Sequence, residues 1–353
     1  MNVLKLARKE IQSLKSYKAA IQVDDTIRLN ANESPFSSAL GDFRRPLNRY
    51  PEVRPQKLQV LLANRFNCIP NQLLVTRGSS EAIDLLIRVF CVAGQDNILS
   101  VNPTFEMYNH YAVIQNAESR QIQTNIEDDF KIDIDALING CSDKTKIIFI
   151  CSPNNPTGSS VSRIDLLKLL EARNDQSIVV VDEAYIEFSA EKSAIELIRK
   201  YPNLIILRTL SKALGFAGAR CGAVIGSNKV IKMLDAVQAP YALATPVIEC
   251  IEDVMQSDQL ETSKEIIDDI INEREYLFKS ISKLSFVKKV WPSDANFFLI
   301  LVENTKLVMK AASDKNILLR DFEYKLPGCI RISVGTKQEN RLLLEVLENL
   351  AER

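Results

Sequence analysis

Apolar residues follow two alternating spacings along most of the chain. From about residue 55, segments with an apolar residue every three or four positions alternate with short continuous apolar runs. The first spacing predicts amphipathic helices, as in 56–66, where Leu58, Leu61, Leu62 and Phe66 share one stripe; the second predicts strands covered on both faces. The alternation therefore predicts an α/β unit with a mainly parallel central sheet flanked by helices.

A second pattern begins near residue 245, where long charged helices replace the short apolar runs. This shift predicts a smaller α+β domain over 246–353, after a large α/β domain over 31–245. Residues 1–30 are interpreted as an N-terminal arm that contributes to the small domain, beginning with a short amphipathic helix over 1–16. Predicted strands are 73–76, 97–101, 147–151, 178–181, 204–207, 221–225, 296–302 and 329–334, and predicted helices of the small domain are 262–283, 305–315 and a last one from 337.

Composition narrows the class of protein. The 353 residues carry 44 basic and 45 acidic side chains, a formal charge of −1, so no basic excess favours a nucleic-acid or anionic membrane partner. No run reaches the roughly 20 apolar residues of a membrane span, and the N-terminus lacks a signal-peptide pattern. Seven scattered cysteines are typical of reduced thiols, so a cytoplasmic location is expected. The single histidine, His110, argues against a Ser-His-Asp hydrolase or a histidine-rich zinc site.

Lys212 is the first candidate for chemistry. The apolar run 204–207 ends in Thr209-Leu210-Ser211-Lys212, and Arg220 follows eight positions later. An amine among desolvating groups and another cation has a lowered pKa and becomes a nucleophile for carbonyl compounds. A surface Ser-Lys pair after a strand is the alternative for this motif alone.

Three further motifs follow predicted strands. Gly78-Ser79-Ser80 stands between a strand and a helix, where free backbone N–H groups bind phosphate, although an ordinary turn has the same pattern. Asn155 lies in the rigid segment 152–158, and its amide can donate to an anionic oxygen. Asp182 ends an apolar strand, with Tyr185 three positions on; such a carboxylate can hold a pyridine nitrogen protonated. A metal-binding Asp-Glu pair is the competing reading, and the absence of a GxxxxGK[ST] motif argues against it.

Together these motifs supply partners for every part of one cofactor. They comprise a phosphate cradle, a phenolic donor, a pyridinium partner, an amine for a Schiff base and a second phosphate ligand in Arg220. Pyridoxal 5'-phosphate (PLP) requires this set, because its ring must act as an electron sink.

Seven segments also carry a family resemblance. The chain resembles the fold-type I PLP-dependent aminotransferases, class II, and within them the histidinol-phosphate aminotransferases. The resemblance rests on Leu29-Asn30-Ala31-Asn32-Glu33, Asn48-Arg49-Tyr50-Pro51, Pro103-Thr104-Phe105-x-Met107-Tyr108, 152–158, 182–188, 209–222 and 330–336.

The resemblance implies roles for the residues at these positions. Lys212 would form the Schiff base and, once released, serve as general base, and Asp182 would pair with the pyridine nitrogen. Asn155 and Tyr185 would contact the ring oxygen, Tyr108 would stack on the ring, Ser79, Ser80, Ser211 and Arg220 would hold the phosphate, and Thr209 would be a further cofactor contact. Tyr50 would reach the cofactor phosphate of the neighbouring subunit, which implies an obligate homodimer with shared active sites. Phe105 and Glu106 receive no role.

Substrate recognition is inferred in the same way. A substrate with a carboxylate and a phosphate is expected to need two arginines, and the resemblance assigns Arg331 to the α-carboxylate and Arg320 to the phosphate. Tyr17 and Asn32 are the other substrate candidates. The implied ping-pong reaction transfers the amino group of L-glutamate to imidazole acetol phosphate, giving 2-oxoglutarate and L-histidinol phosphate in histidine biosynthesis. An aromatic aminotransferase and a threonine-phosphate decarboxylase remain alternatives, as does an effector-binding regulator, which the complete Lys212 motif disfavours.

Overall fold

In a computed structural model of the protein, the structure describes residues 3–17, 20, 22, 28–37, 44–257 and 259–352. The α-helices are α1 (Lys9–Gln12), α2 (Gln56–Arg65), α3 (Gly78–Phe90), α4 (Met107–Ile114), α5 (Ile134–Asn139), α6 (Arg163–Ala172), α7 (Asn228–Val237), α8 (Thr245–Gln256), α9 (Gln259–Ile281), α10 (Thr305–Ser313) and α11 (Lys337–Ala351). The strands are β1 (Leu73–Thr76), β2 (Asn97–Asn102), β3 (Glu118–Gln123), β4 (Thr145–Cys151), β5 (Ile178–Asp182), β6 (Leu204–Thr209), β7 (Gly222–Ile225), β8 (Val287–Val290), β9 (Phe297–Val302), β10 (Arg320–Asp321) and β11 (Cys329–Ser333).

Strands β1 to β7 form one seven-stranded sheet in the order β1-β7-β6-β5-β4-β2-β3. β7 is antiparallel to its neighbours β1 and β6, and the other pairs are parallel. Strands β1, β4, β5 and β6 therefore end at one edge, where Cys151 lies beside Asp182, and Thr76 and Thr209 both lie beside Gly222. Ligands bind at this edge of open α/β sheets. The mainly parallel α/β fold predicted from the sequence is confirmed.

The central strands contain continuous apolar runs because both faces of the sheet are covered. In β5, Val179 and Val181 pack into the core that includes α2, α6 and α8, whereas Ile178 and Val180 pack into the core that includes α3, α4 and α7. Burying each such side chain contributes roughly 1.5–3 kcal/mol. The two cores hold the strand ends, and hence the loops that follow them, in fixed positions.

Strands β8 to β11 form a second, smaller sheet, which is antiparallel and has the order β10-β11-β9-β8. Residues of α9, α10 and α11 pack against it, with Leu277, Val308 and Leu344 fully or almost fully buried. The polar α11 begins with a capping box, in which Thr336 accepts from the backbone N–H of Glu339 and the Glu339 carboxylate accepts from that of Thr336. This sheet places β10 and β11 beside the binding edge of the large one.

The N-terminal segment differs from the predicted continuous helix over 1–16, whose first two residues lie outside the described ranges. A 3₁₀ turn over Val3–Leu6 and the short α1 replace it. The chain is extended at Arg8, because the Arg8 backbone N–H donates to the carbonyl of Val89 at the end of α3. Val3 and Ile11 still pack into the core that covers one face of the large sheet, as their amphipathic spacing requires.

The boundary between the predicted domains falls inside a packed region. Ile248 and Ile251 of α8 pack into a core of the seven-stranded sheet, so a division after α8 fits the packing better than one at residue 245. The division into 1–30, 31–245 and 246–353 stays a prediction. Among the described residues, no helix combines the length and apolarity needed to cross a membrane.

Candidate active site

The binding edge of the large sheet opens into a cavity of about 440 Å³, closed on one side by β10 and β11. Most residues predicted from the sequence to form the site line this cavity. They are Ser79, Ser80, Asn155, Asp182, Tyr185, Thr209, Ser211, Lys212, Arg220, Arg320 and Arg331. The residues of the large sheet converge because β1, β4, β5 and β6 end, and β7 begins, at one edge; Arg320 and Arg331 come from the small sheet.

Asp182 forms the floor of the cavity at the end of β5. Its side chain is buried, with Oδ1 accepting from the backbone N–H of Ala184 (3.2 Å) and Oδ2 accepting from the Tyr108 hydroxyl (2.8 Å). Burial raises the pKa of Asp182 to about 6, and these two hydrogen bonds act in the opposite direction. The site therefore presents a buried carboxylate that can bind a cationic N–H group.

Lys212 follows β6 and faces the open cavity. The Thr209 hydroxyl accepts a hydrogen bond from the backbone N–H of Ser211 (3.1 Å) and donates one to Ser211 Oγ (2.9 Å). These two hydrogen bonds stabilise the turn that precedes the lysine. Burial, together with the charges of Arg331 and Arg220, lowers the pKa of Lys212. A lysine of lowered pKa has more neutral amine at a given pH, as a nucleophile or general base needs.

Asn155 connects the two sheets across the cavity. Its Oδ1 accepts a hydrogen bond from Arg331 Nη1 (2.5 Å), and its Nδ2 faces the hydroxyl of Tyr185 (3.4 Å). Tyr185 is itself buried and packs edge-on against Phe297, with ring centroids 5.0 Å apart. The amide nitrogen and the phenol therefore form a pair of donors on one wall.

The start of α3 and Arg220 form an anion site at another wall. Gly78 adopts φ +72°, and a Cβ there would lie 2.9 Å from Arg220 Nη2, so only glycine lets the guanidinium lie against the helix start. Arg220 Nη1 donates to Ser211 Oγ (3.3 Å) and to the carbonyl of Ala217 (3.1 Å). Free N–H groups of the helix, hydroxyls and a guanidinium together suit a phosphate.

Two more arginines line the cavity from the small sheet. Arg320 on β10 and Arg331 on β11 are cross-strand partners. The Arg331 guanidinium lies 5.0 Å from the ring centroid of Phe297, and that of Arg320 lies 5.9 Å from the ring of Phe322. Burial lowers the pKa of Arg331, as does neighbouring Arg320, so an anion is the natural ligand between them.

The sequence of this chain matches known proteins along nearly its whole length. Residues 16–347 match the family of class I and II aminotransferases. A histidinol-phosphate aminotransferase from Buchnera aphidicola subsp. Schizaphis graminum (strain Sg) is 41% identical over 353 residues, covering 99% of each chain. The chain belongs to the class I and II aminotransferases, among the histidinol-phosphate aminotransferases.

Solved structures of other proteins share the fold of this chain. A histidinol-phosphate aminotransferase from Sinorhizobium meliloti, in complex with pyridoxal-5'-phosphate, superposes with a TM-score of 0.77 at 22% identity, covering 87% of this chain and 84% of that one. An L-threonine-O-3-phosphate decarboxylase from Porphyromonas gingivalis gives a TM-score of 0.73 at 24% identity, over 87% of this chain and 92% of that one. The fold is thus common to amino transfer and decarboxylation and does not separate them.

Tyr108 does not lie where its predicted role, stacking on the cofactor ring, would require. Its side chain is fully buried in this aminotransferase, lies outside the cavity lining, and stacks on Phe149 with ring centroids 4.5 Å apart. The reason is the phase of α4, which turns Tyr108 towards β4 and β5. Phe105, two residues after cis Pro103, lines the cavity instead.

Three predicted residues of the N-terminal half lie away from this cavity. Tyr17 and Tyr50 line a second cavity of about 1130 Å³, in which Tyr50 stacks on Tyr241 (4.6 Å between centroids). Asn32 adopts φ +52° and lines neither cavity. Glu33, beside Asn32, accepts from the backbone N–H of Tyr50 (2.8 Å). In this single chain, the three predicted residues therefore do not contact the Lys212 site.

Glu106 and Tyr324 are two of the cavity residues for which the sequence predicted no role. The Glu106 carboxylate accepts a hydrogen bond from the Tyr324 hydroxyl (2.8 Å) and pairs with Lys325 (2.5 Å), which lowers the pKa of Glu106. Glu106 and Tyr324 both line the cavity, and their contact joins the loop before α4 to the loop after β10. No sequence signal links residues this far apart, although Phe105 and Glu106 do lie inside a motif that carried the family resemblance.

Proposed function

We propose that this chain is a PLP-dependent histidinol-phosphate aminotransferase, which transfers the amino group of L-glutamate to imidazole acetol phosphate. The products are 2-oxoglutarate and L-histidinol phosphate, and the reaction belongs to histidine biosynthesis. One observation carries the proposal: Lys212, Asp182, Arg320 and Arg331 line a single cavity, in a chain 41% identical over its length to a histidinol-phosphate aminotransferase.

The residues around the cavity fit PLP group by group. Asp182 would pair with the ring nitrogen, and Asn155 and Tyr185 would donate to the ring oxygen. The phosphate would bind at the start of α3, with ligands from Ser79, Ser80, Thr209, Ser211 and Arg220. When bound, PLP supplies a ring that withdraws electrons from the reacting carbon of the substrate. The glycine that admits Arg220 to the helix start supports this assignment, since the resulting cradle suits a dianion.

Lys212 performs the proton chemistry in this proposal. Its neutral amine takes a proton from Cα of the amino substrate as general base, and returns one to Cα of the keto substrate in the reverse half-reaction. The lowered pKa of Lys212 increases the neutral fraction at a given pH. Both half-reactions use the same lysine, because in a ping-pong reaction the two substrates bind one after the other at a single site.

The two arginines of the small sheet bind the substrate anions. The sequence-based expectation of a carboxylate and a phosphate on one substrate needs correction, because imidazole acetol phosphate carries the phosphate alone and L-glutamate carries two carboxylates. We assign Arg331 to an anion of either substrate, since it lies beside Asn155. Arg320, its cross-strand partner, adds a second guanidinium. A phosphate carries nearly two negative charges, so it gains more from a second guanidinium than a carboxylate does.

We also propose a homodimer in which Tyr50, Tyr17 and Asn32 complete the partner's site. Their part of the chain exposes several large side chains, including Phe36 (81% exposed), Tyr17 (58%) and Tyr50 (50%). Tyr17 and Tyr50 also line the same cavity, and exposed apolar surface is common at protein–protein contacts, which supports the proposal. A cytoplasmic location is proposed from the cysteines, none of which forms a disulfide.

The test is a panel of substrates assayed side by side with purified, PLP-loaded protein. Amino donors are L-glutamate, L-histidinol phosphate, L-phenylalanine and L-threonine phosphate; acceptors include imidazole acetol phosphate and phenylpyruvate. We expect kcat/KM for imidazole acetol phosphate to exceed that for phenylpyruvate at least tenfold, with no CO₂ released from L-threonine phosphate. A preference for phenylpyruvate, or CO₂ release, would replace this proposal by one of the two alternative enzymes.

A further inference from the structure

Tyr108 and Asp182 are joined by a hydrogen bond beneath the floor of the cavity. The Tyr108 hydroxyl donates to Asp182 Oδ2 over 2.8 Å, and Oδ1 of the same carboxylate accepts from the backbone N–H of Ala184 over 3.2 Å. Asp182 lines the cavity, whereas Tyr108 lies wholly behind it with no exposed surface. One side chain therefore faces the ligand and the other supports it from within the protein.

The position of the Tyr108 hydroxyl is fixed by aromatic packing. Its ring stacks on Phe149 with a centroid distance of 4.5 Å and an interplanar angle of 8°, and meets Phe105 edge-on at 5.7 Å. Phe149 belongs to β4, the strand that pairs with β5, which carries Asp182. The hydroxyl is thus held by the same sheet that holds its acceptor, and Asp182 cannot rotate without leaving it unpaired.

The direction of the hydrogen bond follows from burial. Burial, reinforced by the Asp182 charge, raises the pKa of Tyr108 well above its ordinary value, so the phenol keeps its proton and acts as donor. Donation to a carboxylate stabilises the charged form and opposes the effect of burial on Asp182. The other titratable groups that interact electrostatically with Asp182 are Cys151, Glu183, Tyr185 and Lys212. The charge of Glu183 opposes the ionisation of Asp182 and that of Lys212 favours it, whereas burial raises the pKa of Cys151 and of Tyr185 and keeps both neutral. Within the part of the chain that the structure describes, Tyr108 and Ala184 are the hydrogen-bond donors to this carboxylate.

We propose that Tyr108 is a positioning residue that keeps Asp182 ionised and oriented towards the cavity, and so sets the protonation of the cofactor's ring nitrogen. This inference rests on the proposed function, because Asp182 acts there as the partner of that nitrogen. Tyr108 touches neither cofactor nor substrate and acts through Asp182. A tyrosine that merely fills the core would influence stability but not the ionisation of the site.

The test compares Tyr108→Phe with Tyr111→Phe, which removes a hydroxyl from the same helix without a contact to Asp182. PLP affinity of the apoenzyme is measured from pH 5 to 9, and the protonation of bound cofactor is read from the NMR shift of a ¹⁵N-labelled ring nitrogen. Without its donor, Asp182 takes up a proton at higher pH. We expect the acid-side midpoint of PLP affinity to rise by about one pH unit in Tyr108→Phe, with roughly tenfold weaker binding at pH 6 and a ¹⁵N shift towards the unprotonated form. Tyr111→Phe should match the wild type in both.

A second variant protects the test against a folding defect. Site-specific 3-fluorotyrosine at position 108 keeps the ring and makes the hydroxyl a stronger donor, so the midpoint should move to lower pH. Unchanged midpoints and ¹⁵N shifts in both variants would overturn the inference. Wild-type protein that binds no PLP at all would instead overturn the proposed function, so the two failures are distinguishable.

Discussion

Arg331 Nη1 donates a hydrogen bond of 2.5 Å to Oδ1 of Asn155, and this contact links β11 of the small sheet to the loop that follows β4. The contact also fixes the amide of Asn155, since an oxygen that faces Arg331 leaves the Nδ2 group facing Tyr185 and the cavity. The substrate-binding arginine and the cofactor-binding asparagine are therefore coupled.

Substituting Asn155 tests this orientation. Asn155→Asp replaces the Nδ2 donor with an acceptor and adds a negative charge near Asp182, while its carboxylate still pairs with Arg331. Asn155→Ala removes both the Nδ2 donor and the oxygen that accepts from Arg331, without adding a charge. We expect PLP to bind roughly tenfold more weakly to the alanine variant and weaker still to the aspartate variant, measured by fluorescence titration of the apoenzyme. Wild-type affinity in Asn155→Asp would show that the amide nitrogen donates nothing to the cofactor.

Substitutions of the cross-strand partners Arg320 and Arg331 should affect the two substrates differently. Arg320→Ala leaves one guanidinium, which suffices for a carboxylate but not for a phosphate dianion. We expect the half-reaction with L-histidinol phosphate to lose roughly 10- to 100-fold in kcat/KM and that with L-glutamate to lose less than fivefold, whereas Arg331→Lys should impair both. Single-turnover absorbance changes of the bound cofactor measure each half-reaction separately. Equal losses for both substrates in Arg320→Ala would refute the division of roles.

Lys212 should capture the cofactor at lower pH than an ordinary lysine would. The lysine reacts as the neutral amine, and burial with two neighbouring cations lowers its pKa, so the pH–rate profile of PLP capture should have its midpoint below 10.5. Arg331→Gln removes one of these cations, raises the pKa and should move the profile to higher pH. Arg320→Gln is the matched control, because Arg320 is not among the charges that act on Lys212. A profile that moves equally in both variants would contradict this explanation; Lys212→Ala should show no capture.

The sequence predicted the centre of the fold better than its margins. Strands β4, β5 and β6 each contain a continuous apolar run, because both of their faces are buried, and such runs can be recognised from the sequence alone. The edge strand β3 has the largely polar sequence Glu118–Gln123 and exposes most of its residues, and β10 has only two residues, so neither gives an apolar signal.

The same contrast holds in the site. Asn155, Asp182 and Lys212 follow strands whose carboxyl ends meet at one edge, so order along the chain was enough to predict that they lie together. The direction in which Tyr108 faces depends on the phase of α4 and its packing against Phe149, which spacing cannot give.

Substituting Gly222 tests whether the edge of the large sheet positions the proposed phosphate site at the start of α3. A Cβ at Gly222 would lie 2.6 Å from the carbonyl oxygen of Arg208 and 3.0 Å from Cα of Gly78, so Gly222→Ala must push β6 or the start of α3 aside. We expect a loss of about 1–3 kcal/mol in stability and weaker PLP binding. Gly218→Ala is the control, because a Cβ there meets nothing within 4 Å. Thermal unfolding and PLP titration measure both effects, and equal behaviour of the two variants would show that the edge tolerates movement.

Mixing two inactive variants tests whether the active sites are shared between subunits. Tyr50→Ala retains Lys212 but removes the tyrosine proposed to reach the partner's cofactor, whereas Lys212→Ala retains Tyr50. If Tyr50 completes the partner's site, a mixed dimer contains one site with both residues intact and one with neither. After unfolding and refolding of an equal mixture, we expect half of the dimers to be mixed and about a quarter of wild-type activity to return.

The control is the same mixture made without subunit exchange, which should stay inactive. Tyr241 stacks on Tyr50 within one chain, so Tyr241→Ala should lower activity in the same complementing manner, through misplacement of Tyr50. If Tyr50 instead served its own chain's site, no mixed dimer would hold an intact site. The refolded mixture would then show only the sum of the activities of the two parent variants, because each site would still lack either Tyr50 or Lys212.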